Sequence, residues 1–310
     1  MNKIFVAMVA AAAAVSLGAC GGGGGGGGGS SSSTYTGSKS EATLTGASAV
    51  TLSDVLLKNA ADNKDFDEMA VSIDDSLSAA ASAMGKLTRA SGDVYEGCDG
   101  RGSVTYTADT TGDGSDYSYT VTFNDFAIWD DSTASGCSTE VVNGAFGWHF
   151  WTTTSPSVMH FEYTFDNLRL SAGGVDVARI DGEMGMWFSN DVAGSLGYTM
   201  TMETWNRNGD GSVDQFKISG YDVEFANYSQ LVSIAGTFYD AEEGYVTVST
   251  TTNFGYSCAG ATTPSSGVMV VNDSAGDWTI TYGSDTVSVQ GPNGETDSAV
   301  TDSASGCAPL

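Results

Sequence analysis

Histidine occurs only twice in this chain of 310 residues, Lys and Arg together number 11 against 38 Asp and Glu, and no C-x-x-C pair is present. Each shortage removes a class of function. With only His149 and His160 as candidate bases, Ser–His hydrolysis would have to run through one of them, and no G-x-S-x-G elbow, H-E-x-x-H helix or P-loop accompanies either. Without C-x-x-C, thioredoxin-like redox chemistry and zinc ribbons are disfavoured. The net charge of −27 repels phosphate backbones and anionic headgroups, so nucleic acid is not an expected partner. That charge serves solubility, and it would also suit divalent cations or cationic partners. No apolar run reaches the roughly 20 residues that a membrane-spanning helix needs.

What is present starts with a leader: Lys3 as a positive n-region, Ile4 to Val15 as an apolar h-region, and small residues before Cys20. The stretch Leu17-Gly18-Ala19-Cys20, followed by glycines from Gly21 to Gly29, resembles the lipobox of bacterial lipoproteins over residues 1–21. The resemblance implies cleavage before Cys20, a diacylglyceryl group on its thiol and an acylated amino group. It also implies outer-membrane sorting, because Gly21 stands where an inner-membrane retention Asp would be. Several acyl chains anchor stably, since each buried CH₂ contributes about 0.8 kcal/mol and one chain binds only marginally. Gly21 to Gly29 and Ser30 to Ser33 then read as a flexible tether with a reach of roughly 20 Å. The expected organisation is a signal peptide over 1–19, lipidated Cys20 and tether over 20–50, a helical segment over 51–90 and an antiparallel β domain over 91–310.

Four cysteines remain once lipidation takes Cys20, an even number in an exported protein. Of the three connectivities open to four cysteines, Cys98–Cys137 and Cys258–Cys307 is expected, because each pair brackets one contiguous section of strands. No thiol is then left over as a nucleophile.

Helical periodicity appears at Leu52, Val55 and Leu56 after Thr51, with Asp54 completing a capping box. It resumes along Phe66, Met69, Ile73, Leu77, Ala80, Met84 and Leu87 as a narrow apolar seam. Beyond Gly92 the period becomes two: Tyr117, Tyr119, Val121 and Phe123, then Met200 and Met202, then Trp278, Ile280 and Tyr282 alternate with polar residues. Breaks at Thr111 to Gly114, Asn208 to Gly211 and Asn293-Gly294 carry hairpin chemistry, and no helical stretch separates the strands to allow parallel crossovers. The fold class is therefore mainly β: a long antiparallel meander, curled or barrel-like, with an N-terminal amphipathic helix, Phe66 to Leu87, packed on its apolar face.

A faint repeat runs through the meander. Phe123-Asn124-Asp125-Phe126 is followed by Asn143-Gly144, Phe165-Asp166-Asn167-Leu168 by Asp181-Gly182, and Phe225-Ala226-Asn227-Tyr228 by Ala235-Gly236. Each unit reads as a strand ending in Asn or Asp and a returning strand that starts near Gly.

Candidate sites are sparse. Asn206, Asn208, Asp210, Ser212 and Asp214, with Gly211 at the sixth position, resemble an EF-hand or dockerin calcium loop, but the twelfth position is Lys217 rather than a bidentate carboxylate. Turn chemistry alone explains this loop and a second acidic turn at Asp109 to Asp116. A hairpin centred on Ser155-Pro156 would set His149 against Glu162 and Trp151 against His160 on the solvent face, a set able to bind a divalent metal. Two function classes follow: a membrane-tethered, non-enzymatic envelope lipoprotein that binds a polymer, lipid or protein, or a glycan hydrolase or carbohydrate-binding protein using carboxylates with Trp129, Trp151 or Trp205 as platforms. Calcium is the one cofactor the residues suggest.

Overall fold

The computed structural model describes residues 35–62, 92, 94–110, 116–129, 136–154, 157–189, 195–207, 211–226, 230–240, 242–258, 261 and 263–300. The leader, Cys20, the Gly/Ser tether, the Phe66 to Leu87 seam and Cys307 lie outside them. The strands are β1 (Val94–Glu96), β2 (Ser103–Thr110), β3 (Asp116–Trp129), β4 (Cys137–Thr154), β5 (Ser157–Ala172), β6 (Val175–Ser189) and β7 (Ser195–Arg207). They continue as β8 (Val213–Ala226), β9 (Gln230–Asp240), β10 (Gly244–Gly255), β11 (Ser266–Asp273), β12 (Gly276–Tyr282), β13 (Thr286–Gln290) and β14 (Thr296–Val300). All 14 form one sheet in sequence order, an antiparallel meander. Hairpins sit where the turn residues placed them: Thr110 pairs with Tyr117, Arg207 with Val213, and Gln290 with Thr296. β1 and β14 end the sheet and do not pair with each other, so it is open, and the barrel-like alternative is corrected.

One residue in two along each strand enters the core: Tyr163 and Phe165 on β5, Met184 and Met186 on β6, Val246 and Val248 on β10, Trp278, Ile280 and Tyr282 on β12. From β4 to β13 these side chains form one cluster. A flat sheet of this many strands at about 4.8 Å spacing would be about 60 Å wide. The helix α1 (Gly46–Asp62) is about 25 Å long and cannot dry such a face alone. Over β9, β12, β13 and β14 the inner face is covered by α1, whose Ala49, Leu52 and Leu56 join the same buried cluster. The cover among the described residues is thus the face read from Leu52 and Leu56, starting earlier, at Gly46.

The repeat is where the strands bulge. β3, β5 and β8 each carry an extra residue relative to their neighbours, at Asn124-Asp125, Asp166-Asn167 and Gly220-Tyr221. Asp125, Asn167 and Gly220 have positive φ of 47°, 46° and 59°, the conformation that lets a strand bulge, bend and run on. Each of their backbone N–H groups donates to a neighbouring side chain: Asn143 Oδ1, Asp181 Oδ1 and Thr201 Oγ1. Opposite lie Gly144, Gly182 and Gly236 on the inner face, where a side chain would fill the bend; a Cβ on Gly182 would be 2.1 Å from the Thr201 carbonyl oxygen. Two corrections follow. The Asn/Asp positions are not strand ends, because β3 and β5 continue past them. In the third unit the bulge facing Gly236 is Gly220-Tyr221 rather than Asn227.

Residues 35–45, expected to prolong the tether, are instead a docked strap. Tyr35 is 1% exposed; its N–H donates to Glu203 Oε2 at 3.1 Å and its hydroxyl to the Asp240 carbonyl at 2.8 Å. Ala42 N–H donates to the Tyr245 carbonyl at 2.8 Å, and Leu44 N–H to Asp273 Oδ2 at 2.6 Å. Small polar side chains conceal this docking because the backbone makes most of the bonds. At the sheet's first edge the expected Cys98–Cys137 disulfide ties the turn after β1 to the start of β4, with Cα atoms 5.5 Å apart. Cys258 is also disulfide-bonded, and its expected mate Cys307 lies outside the described residues.

Candidate functional site

The face opposite the core is polar, and register decides which of its side chains meet. The pairing read around Ser155-Pro156 is observed: Trp148 faces Tyr163 and Phe150 faces Phe161 inside, His149 faces Glu162 and Trp151 faces His160 outside. β6 extends both outer rows, setting Trp187 beside His160 and Gly185 beside Glu162. β7 and β8 continue the second row with Thr199 and Asp222.

The aromatic rings of the first row form a slab. Trp151 and His160 stack with centroids 4.7 Å apart and planes 2° from parallel, and His149 stacks on Trp151 at 4.4 Å. His149 Nε2 is 2.9 Å from an Asp116 carboxylate oxygen. Burial lowers the pKa of His160, so at neutral pH its imidazole presents an uncharged face. Trp187 lies away from this slab, flat over Gly197 of β7, where an added Cβ would be 2.3 Å from its Nε1. Beside this row of rings run Glu162, Gly185, Thr199 and Asp222, with Gly220 farther along, and a groove of about 470 Å³ opens over them. Glu162, Glu183 and Asp222 rim it, and among the described residues no Lys or Arg lines it. The groove is therefore an acidic trough walled by flat rings, suited to a ligand with apolar faces and polar or cationic edges.

The metal expectations fare differently. His149, His160 and Glu162 share one face, but their ligand atoms are not gathered: among the described residues the one His/Cys/Asp/Glu trio within 4.8 Å is Cys98, Asp99 and Cys137. There the sulfurs are bonded to each other and offer no thiolate. Both histidines spend a ring face on Trp151, and His149 spends Nε2 on Asp116. In the calcium-like loop Asn206 pairs with Asp214 as part of the β7–β8 ladder, and exposed Ser212 precedes it. Asn208, Asp210 and the side chain of Asp214 lie outside the described residues. Lys217 donates to Glu203 at 2.5 Å and its ammonium sits 4.9 Å from the Tyr239 ring centroid, so the twelfth position is committed to a cation. We therefore expect millimolar calcium to leave the melting midpoint where EDTA leaves it; a rise of several degrees, abolished by Asp210→Ala with Asp214→Ala, would show that the loop binds the ion.

Of the expected sugar platforms, Trp151 lies in the groove. Trp205 is corrected: it is 8% exposed and clamped between the guanidinium groups of Arg179 and Arg207, each 5.3 Å from its ring centroid. The Trp129 side chain lies outside the described residues. Trp187 was missed, and its signal is thin, because Gly185 and Trp187 alternate with Met184 and Met186 and both sets look apolar. Set against protein-family profiles, curated proteins and solved structures, the chain matches none.

Proposed function

We propose that the chain is a membrane-tethered cell-envelope lipoprotein, anchored to the outer membrane through acyl chains on Cys20, that binds an envelope polymer in the Trp151–Trp187 groove without turning it over. The groove carries this reading. It is a preformed trough on the outer face, while the inward side chains described from β4 to β13 form one buried cluster, and a polymer chain laid along the outside fits such a trough. The leader and lipobox support the address, and the absence of a basic lining supports a partner that is not nucleic acid.

Two measurements test this. Cys20→Ala is expected to abolish incorporation of labelled palmitate and to release the protein from membranes; unchanged labelling and fractionation would overturn the anchor. The mature lipidated protein should co-sediment with isolated envelope polysaccharide, and Trp151→Ala with Trp187→Ala should cut the retained fraction at least about tenfold, as loss of central aromatic anchors does. Equal retention would overturn the groove as the site.

One observation favours a hydrolase as the second reading. Glu162 pairs with Gly185 and Glu183 lies two residues along β6, a diagonal that brings Cβ atoms to about 7–8 Å. Carboxylates roughly 6.5–9.5 Å apart suit an inverting mechanism. New reducing ends during the sedimentation assay, lost in Glu183→Gln, would replace binding with turnover.

A further inference from the structure

We infer that the groove selects a glycan carrying free amino groups, and rejects anionic glycans. This deepens the binding reading above and rests on it. The shape of the site comes first. A pyranose presents a flat face of C–H bonds, which packs on an aromatic ring, and it presents hydroxyl or amino groups at its edge. Here the stacked Trp151 and His160 rings and the Trp187 indole supply such faces along one row of the groove, with Glu162, Gly185, Thr199 and Asp222 along the next. The backbone is bare at Gly220, and at Gly185 it is covered by nothing larger than the Thr199 hydroxyl, 2.7 Å from where a Cβ would stand.

The distribution of charge then sets the ligand's sign. Glu162, Glu183 and Asp222 stand along the trough, and among the described residues none of them is in an ion pair. The sheet's cations are elsewhere. Arg169 faces Arg179, which faces Trp205, two residues before Arg207 and two after Glu203, the partner of Lys217, so four basic residues cluster at the far end of these strands. The acidic trough is thus not the average of an acidic surface but one pole of a face whose cations have been gathered at the other. A uronate or phosphorylated sugar entering it would meet three uncompensated carboxylates. An amine would meet partners for its three donors.

The probes are a glucosamine oligomer, its fully N-acetylated counterpart and a galacturonate oligomer. Each is titrated against the mature lipidated protein in detergent at near-neutral pH, with intrinsic Trp fluorescence as the readout. The glucosamine oligomer should bind about tenfold more tightly than the acetylated one at low ionic strength, a gain that shrinks as salt rises, and galacturonate should not bind. Glu183→Gln with Asp222→Asn should bring the ratio of glucosamine to acetylated affinity down to about one with both probes still bound, whereas a merely misfolded groove would bind neither. Equal affinity for amino and acetylated probes at low salt, or binding of galacturonate, would overturn the inference while envelope retention still stood. Failure of every saccharide together with loss of retention would instead sink the binding reading itself.

Discussion

Gly182→Val should destabilise the protein by roughly 4 kcal/mol, combining backbone strain of about 1–3 kcal/mol with a similar cost for forcing atoms into a packed site. Gly182 has φ +126°, a conformation that L side chains rarely adopt. The new Cβ would stand 2.1 Å from the Thr201 carbonyl oxygen and 2.8 Å from Met202 Cα, and both are backbone atoms that cannot swing aside. The effect should reach beyond one residue, because Thr201 also accepts the Gly220 N–H that holds the β8 bulge. Asn167→Gly is the matched control. It sits in the same crease with φ +46°, which glycine adopts without strain, and its N–H remains to bond Asp181. Its midpoint in urea should move by less than the equivalent of about 1 kcal/mol. If Gly182→Val shifts the midpoint no further than an ordinary surface substitution, about 0.5 kcal/mol, the close approach of Gly182 to Thr201 is not needed for the bulge.

Replacing Cys98 and Cys137 together by Ser should cost about 4 kcal/mol, the chain-entropy value for cysteines 39 residues apart. The double variant avoids a stray thiol, and it leaves Cys258 untouched where a reductant would not. The loss should be uneven. β1 has three residues and pairs only with β2 among the described strands, so without the crosslink this edge rests on short-range backbone bonds, among them Gly92 N–H to the Tyr106 carbonyl, Gly97 N–H to the Gly102 carbonyl, Arg101 N–H to the Cys98 carbonyl and Ala127 N–H to the Arg101 carbonyl. Hydrogen exchange should therefore accelerate first in β1, β2 and the start of β4, and slowly protected amides in β9 to β12 should be spared until global unfolding. An unchanged denaturation midpoint would mean that the edge is already held by its own contacts.

The strands were legible because their alternation is clean, and the β4–β5 register was legible because a short Ser155-Pro156 turn leaves one arrangement that puts Phe150 and Phe161 inside together. The bulges were half legible. Asn-Asp and Asn-Gly pairs marked the positions, but whether a strand stops or bulges there depends on partners two strands away. Trp205 was misread as exposed because the guanidinium that covers it from Arg179 arrives on β6, a neighbour that no local pattern reveals. The groove itself was visible only in pieces: Trp151, His160 and Glu162 came from one hairpin, whereas Trp187 and Asp222 join through ladders that set β6, β7 and β8 beside it.

The docked strap also orders events in time. Every strand hydrogen-bonds to the strand next to it in sequence, so the sheet can grow hairpin by hairpin with only short loops to close. Tyr35, by contrast, waits for Glu203 and for Asp240, partners 168 and 205 residues later. The N-terminal strap is therefore among the last segments to settle. Until β9 and β10 exist, residues 35–45 have nowhere to dock, and their docking then fastens the first described residues of the chain across strands made 168 to 229 residues later.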